Sequence, residues 1–236
     1  MFVFNKRIPI IATLVAFVAV VIMLRLGFWQ LERMEVKQIR LASLNQKLES
    51  GNASLVSLSD DLKQAADTPV AFVGNPNQER LIYLDNRIVG GAVGYEVLMP
   101  VETNIGWVLV NLGWIQATGS RSTLPEAIVP NTGGEFVGNV VIPTLNPMVK
   151  ETAVQSDGFP LLIQQVDLVK LTELTGLALQ PFIIALSADP TSGFKNNWRP
   201  VVMPPEKHFG YALQWFGLAI TALVIYLIAL FKRKSH

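Results

Sequence analysis

Residues 8–24 read IPIIATLVAFVAVVIML and residues 209–231 read FGYALQWFGLAITALVIYLIALF, and these two charge-free runs decide the architecture. At about 1.5 Å per residue the first gives roughly 26 Å of helix, slightly short of a bilayer's hydrocarbon core. Arg25 snorkels, and Leu26, Gly27, Phe28 and Trp29 extend the apolar surface to an interfacial tryptophan that makes up the difference. The second run suits a full crossing and is closed by Lys232, Arg233 and Lys234. Lys6 and Arg7 before the first run also suit a cleavable signal peptide. No small-x-small site follows it, so an uncleaved anchor is expected.

Positive charge in short flanks sets orientation, whereas long translocated segments follow regardless. The expected division is therefore a cytoplasmic tail and first transmembrane helix at 1–29 and an external domain at 30–207. A second transmembrane helix follows at 208–231 and a basic cytoplasmic tail at 232–236. The opening Met-Phe-Val-Phe-Asn-Lys-Arg lacks the Arg-rich amphipathic character of a mitochondrial presequence. A bacterial inner membrane is expected, with both termini cytoplasmic and the main domain periplasmic.

Composition agrees: half of the 236 residues are hydrophobic and 16% are charged, and the mean hydropathy of +0.38 is too apolar for an ordinary soluble domain. A net charge of +1 with no long basic stripe removes the electrostatic footprint of a nucleic-acid binder. The absence of cysteine removes disulfides, thiolate metal sites, covalent haem attachment and cysteine nucleophiles. Only two histidines occur, His208 and the C-terminal His236, so a three-histidine zinc site cannot be built.

Between the runs the pattern changes. Leu31, Met34, Leu41, Leu44 and Leu48 recur at helical spacing with charged residues between them, so the first helix is expected to continue out of the membrane until Gly51-Asn52. Ser57 or Ser59 is a candidate cap for a short helix over 60–66, ended by Pro69. β-branched and aromatic runs predict strands at 80–89, 94–101 and 107–116, an antiparallel meander whose turns are Gly90-Gly91 and residues 103–106. Further strands are predicted at 135–142, 161–164 and 179–186, a helix at 166–174 stopped by Gly176, and an irregular return to the membrane over 188–205. The fold class is a membrane protein with one transmembrane helix at each end and a single β-rich α+β domain between them.

Enzyme constellations are missing. No G-x-S-x-G occurs, the Gly90–Gly94 cluster sits between two strands and opens no helix, and Asp60-Asp61 reads as the negative first turn of a helix. The stretch that stands out is His208 to Phe216, HFGYALQWF. At 100° per residue His208, Tyr211, Ala212, Trp215, Ala219 and Ala222 fall in one sector about 100° wide. Two readings of that stripe stand. In one, His208 is an interfacial polar residue, with Tyr211 and Trp215 in the membrane aromatic belt. In the other, neutral His208 gives an axial nitrogen to haem iron, Tyr211 and Trp215 lie against the macrocycle and the alanines leave it room. On the first helix Arg25, Trp29 and Glu32 share a face, and Arg25 or Arg33 suits a haem propionate as well as it suits snorkelling. Gly210, Gly217 and Thr221, opposite the stripe, would admit another helix.

Four stretches now make the chain resemble a known family. They are residues 26–33 (LGFWQLER) with Lys37, 84–95 (LDNRIVGGAVGY) running on to Pro100, 108–114 (VLVNLGW) and 208–216 (HFGYALQWF). Their identity and order resemble the Surfeit locus protein 1 family, two-helix membrane proteins that assist cytochrome c oxidase assembly. Two departures are Leu112, where the family usually has arginine before Gly-Trp, and Phe72-Val-Gly-Asn-Pro in place of a G-x-Y/F-D stretch. The resemblance implies a non-enzymatic role in haem a insertion into the catalytic subunit, with His208 at the position proposed as haem ligand. The implied partners are oxidase subunits, the lipid bilayer and the haem a synthesis enzyme. The alternative is a scaffold that holds oxidase subunits through its β-rich domain and never touches haem.

Overall fold

The computed structural model describes residues 10–58, 60–118, 123–149, 153–155, 158–187 and 192–235. Lys6, Arg7, Ser59, Pro190 and His236, on which parts of the orientation, capping and return-segment expectations rest, lie outside them. In chain order the elements are α1 (Ile10–Glu49), α2 (Leu62–Ala65), β1 (Pro69–Pro76), β2 (Ile82–Val89), β3 (Ala92–Thr103), β4 (Gly106–Gln116), β5 (Gly134–Val141), β6 (Ala153–Gln155), β7 (Leu161–Ile163), α3 (Leu168–Thr175), β8 (Leu179–Leu186) and α4 (Pro205–Ser235). They form two compact units: a helical one made of the segments up to Ser43 and from Val201, and a β unit, Leu44–Pro200.

In the helical unit, α1 and α4 are both long and apolar enough to cross a membrane. Ile10, Ile11, Leu14 and Phe17 on α1 and Ile220, Ile225 and Phe231 on α4 are all largely exposed. In water such a collar would drive aggregation; in hydrocarbon it is the matching surface. The less exposed positions of α1 repeat as Thr13, Ala16, Val20, Met23, Gly27, Gln30 and Met34, spacings of three and four that make a heptad seam. On α4 the corresponding line is His208, Ala212, Trp215, Ala219, Ala222 and Tyr226. Contacts run Gln30 to His208, Gly27 to Phe216 and Thr13 to Tyr226, so the two helices are antiparallel.

Helix α1 continues as one rod to Glu49, where Ser50 and the left-handed Gly51 end it beside the predicted break. Leu44 is buried, whereas Leu48, expected on the same face, is exposed on the helix's open last turn. Lys47 Nζ donates to the carbonyls of Gln64 and Ala66, which ties that turn to α2. The cap of α2 is Asp61, whose carboxylate accepts from Lys63 N, rather than Ser57.

In the β unit the predicted meander is β2–β3–β4, joined antiparallel, with Gly90 and Gly91 both at positive φ as a two-residue hairpin turn requires. The sheet order is β1-β5-β8-β4-β3-β2-β7-β6. The far end of β3 also meets β1 at Glu102 and Val101, so β1, β5, β8, β4 and β3 close on themselves. Two pairings, β2–β7 and β4–β8, are parallel, an addition to the meander alone. Inside the closed ring lie Val70, Phe72, Val97, Met99, Val108, Val110, Phe136 and Ile184. Leu98, Leu109 and Ile183, on the opposite faces of the same strands, pack with Ile82, Ile163 and Leu171 of α3. Both faces are covered there, which is why these strands read as continuous apolar runs.

Strand β1 was not foreseen, because Pro69 reads as a helix stop; proline is also at home as a strand's first residue. The three-residue β6 lies at the sheet edge. Helix α3 starts at Leu168 under an Asp167 cap, since Val166 is buried in the core instead, and the left-handed Gly176 closes it.

Candidate functional site

At the end of the seam from which the chain passes into the β unit, His208 is buried, only 8% exposed. Helix geometry puts it there: Pro205, tolerated in a first helical turn, starts α4, and three residues later the imidazole lies on the face turned to α1. Its Nδ1 lies 2.8 Å from Oε1 of Gln30. Its Nε2 is buried and has no hydrogen-bond partner among the described residues. One turn further into the pair, Gly27 faces the ring of Phe216 so closely that a Cβ there would lie 2.5 Å from Cε1. Phe28 meets the same ring edge-on at 5.3 Å between centroids. The missing side chain of Gly27 thus lets the two helices approach beneath the histidine.

The residues singled out in sequence divide between two places. His208, Ala212 and Ala219 lie in the seam, with Trp215 half-buried at its margin and Tyr211 exposed on its flank. The expectation that the alanines leave room for a macrocycle is corrected: Ala212 and Ala219 are fully covered where α1 packs. Conversely, a Cβ at Gly210 or Gly217 would meet nothing, so the small-residue side of α4 is not the packed one. On α1, Trp29 and Arg33 come together, the guanidinium 5.4 Å from the indole centroid. Arg25 and Trp29 are exposed and, at 100° per residue, face away from Gly27 and Gln30. Gln30 and Phe216 carry no chemical signal of their own in the sequence; what marks them is their place three and eight residues after Gly27 and His208.

A second cluster lies in the β unit, where two of the four family-like stretches meet. Asp85 accepts from the N–H of Asn86, whose positive φ makes the irregularity between Leu84 and Arg87 in β2. That bend presents the Arg87 carbonyl to Trp114, whose indole N–H donates to it at 2.9 Å. Trp114 is 1% exposed, with Lys195 Nζ 5.2 Å above its ring and two backbone hydrogen bonds to Lys195. Gly113 is needed there, since its φ is +120° and a Cβ would sit 2.9 Å from the Lys195 carbonyl. The carboxylate of Glu96 accepts from Asn111 and Asn197, fastening the return segment to the sheet. Nearby, Tyr83 donates to the Pro125 carbonyl, and burial pushes its phenol above the usual range. A cleft of about 510 Å³ has Leu112, Ile128, Phe136, Leu186 and Phe194 in its wall.

The model of the SURF1 family matches residues 17–220, from inside α1 to inside α4, and so takes in both clusters. The chain is similar to the SURF1-like protein of Rickettsia felis, 28% identical over 234 residues that cover 91% of this chain and 95% of the relative. It is 29% identical over 236 residues to the SURF1-like protein of Rickettsia conorii, covering 90% and 88% of the two chains. The SURF1-like protein of Rickettsia bellii is 26% identical over 233 residues, covering 94% and 90%.

Proposed function

Since the chain belongs to the SURF1 family, a family of assembly factors associated with cytochrome c oxidase and not with catalysis, we propose that it is a membrane-anchored haem a chaperone for that oxidase. Its β unit is then periplasmic, with Lys232 to Lys234 and the N-terminal Lys6 and Arg7 on the cytoplasmic side of a bacterial inner membrane. The observation that carries the haem reading is the buried Nε2 of His208, which has no partner among the described residues. Burying a polar atom without a partner costs roughly 1–3 kcal/mol, and His208 would recover that cost by giving its Nε2 lone pair to a haem iron.

Haem a, when bound, supplies an iron that accepts the histidine lone pair. The chain's own part is to hold that imidazole at the membrane surface, keep water from it, and offer flanking rings and cations. Tyr211 and Trp215 beside His208 would lie against the macrocycle. Of the cations, Arg33, steadied on Trp29, is nearer the seam side than Arg25 and is the better partner for a propionate. The burial of Nε2 is what keeps water from that lone pair. The His208→Ala protein, co-expressed with the haem a pathway, is expected to stay in the membrane and lose bound haem; unchanged haem content defeats axial ligation.

A second reading rests on the cleft at Leu112. There the β unit holds oxidase subunits during assembly, and haem is not involved. In that case a Leu112→Arg protein fails to co-purify with oxidase subunits while His208→Ala retains them.

A further inference from the structure

We propose that Gln30 is the positioning residue that makes His208 competent as a metal ligand: its side-chain oxygen keeps the imidazole proton on Nδ1 and leaves the Nε2 lone pair free. The inference rests on the haem reading above and adds to it the residue that sets the tautomer.

Three observations carry it. The 2.8 Å contact joins Nδ1 to the amide oxygen of Gln30, and an amide oxygen can only accept, so the proton belongs to Nδ1. The reverse arrangement, an amide N–H donating to Nδ1, would leave the proton on Nε2. That nitrogen is buried and has no acceptor among the described residues. A buried N–H without an acceptor is rarer in folded proteins than a buried acceptor without a donor, so the bare position at Nε2 is the lone pair and not the proton. Finally, Gln30 is the one amide among the seam positions Thr13, Ala16, Val20, Met23, Gly27, Gln30 and Met34. A polar side chain in such a seam costs stability unless a partner across it compensates, and His208 is that partner. Metal-bound histidines generally donate their second N–H to an acceptor that fixes the ring and raises its basicity.

The test uses the full-length protein in lipid nanodiscs with histidine labelled by nitrogen-15 and His236 replaced by alanine, so that His208 is the only imidazole. Without haem, nitrogen NMR should show a protonated Nδ1 and an unprotonated Nε2. In Gln30→Leu the proton should move to Nε2, and purified ferric haem a should bind about 10- to 100-fold more weakly. Gln30→Glu keeps an acceptor and should restore both the tautomer and near-native affinity. A protonated Nε2 in the unsubstituted protein overturns the inference. So does wild-type haem affinity in Gln30→Leu when His208→Ala has lost haem, or equal loss in the leucine and glutamate variants, which would make Gln30 a packing residue. If His208→Ala binds haem a as the parent does, the ligation reading itself fails and this inference falls with it.

Discussion

His208 and Trp114 are both buried rings with a polar nitrogen, one in each unit, and the fold treats them in opposite ways. Trp114 has a single donor, and the carbonyl of Arg87 takes it. Its backbone is paired with Lys195 and its face is covered by the same lysine. His208 has two nitrogens, and among the described residues only one of them has a partner. Two other buried atoms, Arg87 Nε and Asn139 Oδ1, also lack a partner among the described residues, but each belongs to a partly exposed side chain with further polar atoms. Folding alone favours the closed arrangement, because each unpaired buried group subtracts from a margin of only about 5–15 kcal/mol. A closed ring is accounted for by the fold alone, and a half-open one is where the proposed haem iron would supply the second partner.

The largest effect expected from this contrast is at Trp114. Trp114→Ala removes a wholly buried side chain and should destabilise the β unit by about 3–5 kcal/mol, read from chemical unfolding followed by near-ultraviolet circular dichroism. Haem content per folded molecule should not change. Haem loss out of proportion to unfolding would place Trp114 in the binding site and break the comparison.

A smaller effect is expected beneath His208. Gly27→Leu puts carbon where the Phe216 ring already lies, and overpacking of this kind costs about 1–3 kcal/mol. Reversible unfolding in mixed micelles should show that loss, and Phe216→Ala in the same chain should recover most of it. If Gly27→Leu alone is neutral, the close approach of α1 and α4 is not what holds the seam together.

The same contrast explains what could be read from the sequence. Both membrane helices, the meander, β5, β8 and α3 were legible because each announces itself locally, by a charge-free run, by β-branched runs or by a capping glycine. The closure of the ring through Val101 and Glu102 was not, since pairing distant strands depends on which faces end up covered. Strand β1 was hidden by a proline that serves a helix stop and a strand start equally well. In the site, His208 was conspicuous as one of two imidazoles, and its stripe of alanines was visible too. What the stripe packs against was not: the alanines suggested space, and α1 fills it. Gln30 was silent, because a neutral amide gains meaning only when a partner 178 residues away is placed beside it.

The smallest effect separates the two ends of the seam. Thr13 Oγ1 and the Tyr226 hydroxyl lie 2.6 Å apart, about 25 Å along α1 from Gln30. Hydrogen bonds between membrane helices average about 0.6 kcal/mol, because the separated helices find other partners in the bilayer. A cycle of Thr13→Val, Tyr226→Phe and the double variant should return a coupling of that size in micelle unfolding. Unlike the contact at His208, this one leaves no unpaired imidazole nitrogen to complete, so haem a affinity should be the same in all three proteins. A change in affinity would mean that the two ends of the pair are coupled and that the geometry at His208 is governed from the far end, in which case the tautomer at Gln30 would be only half of the control.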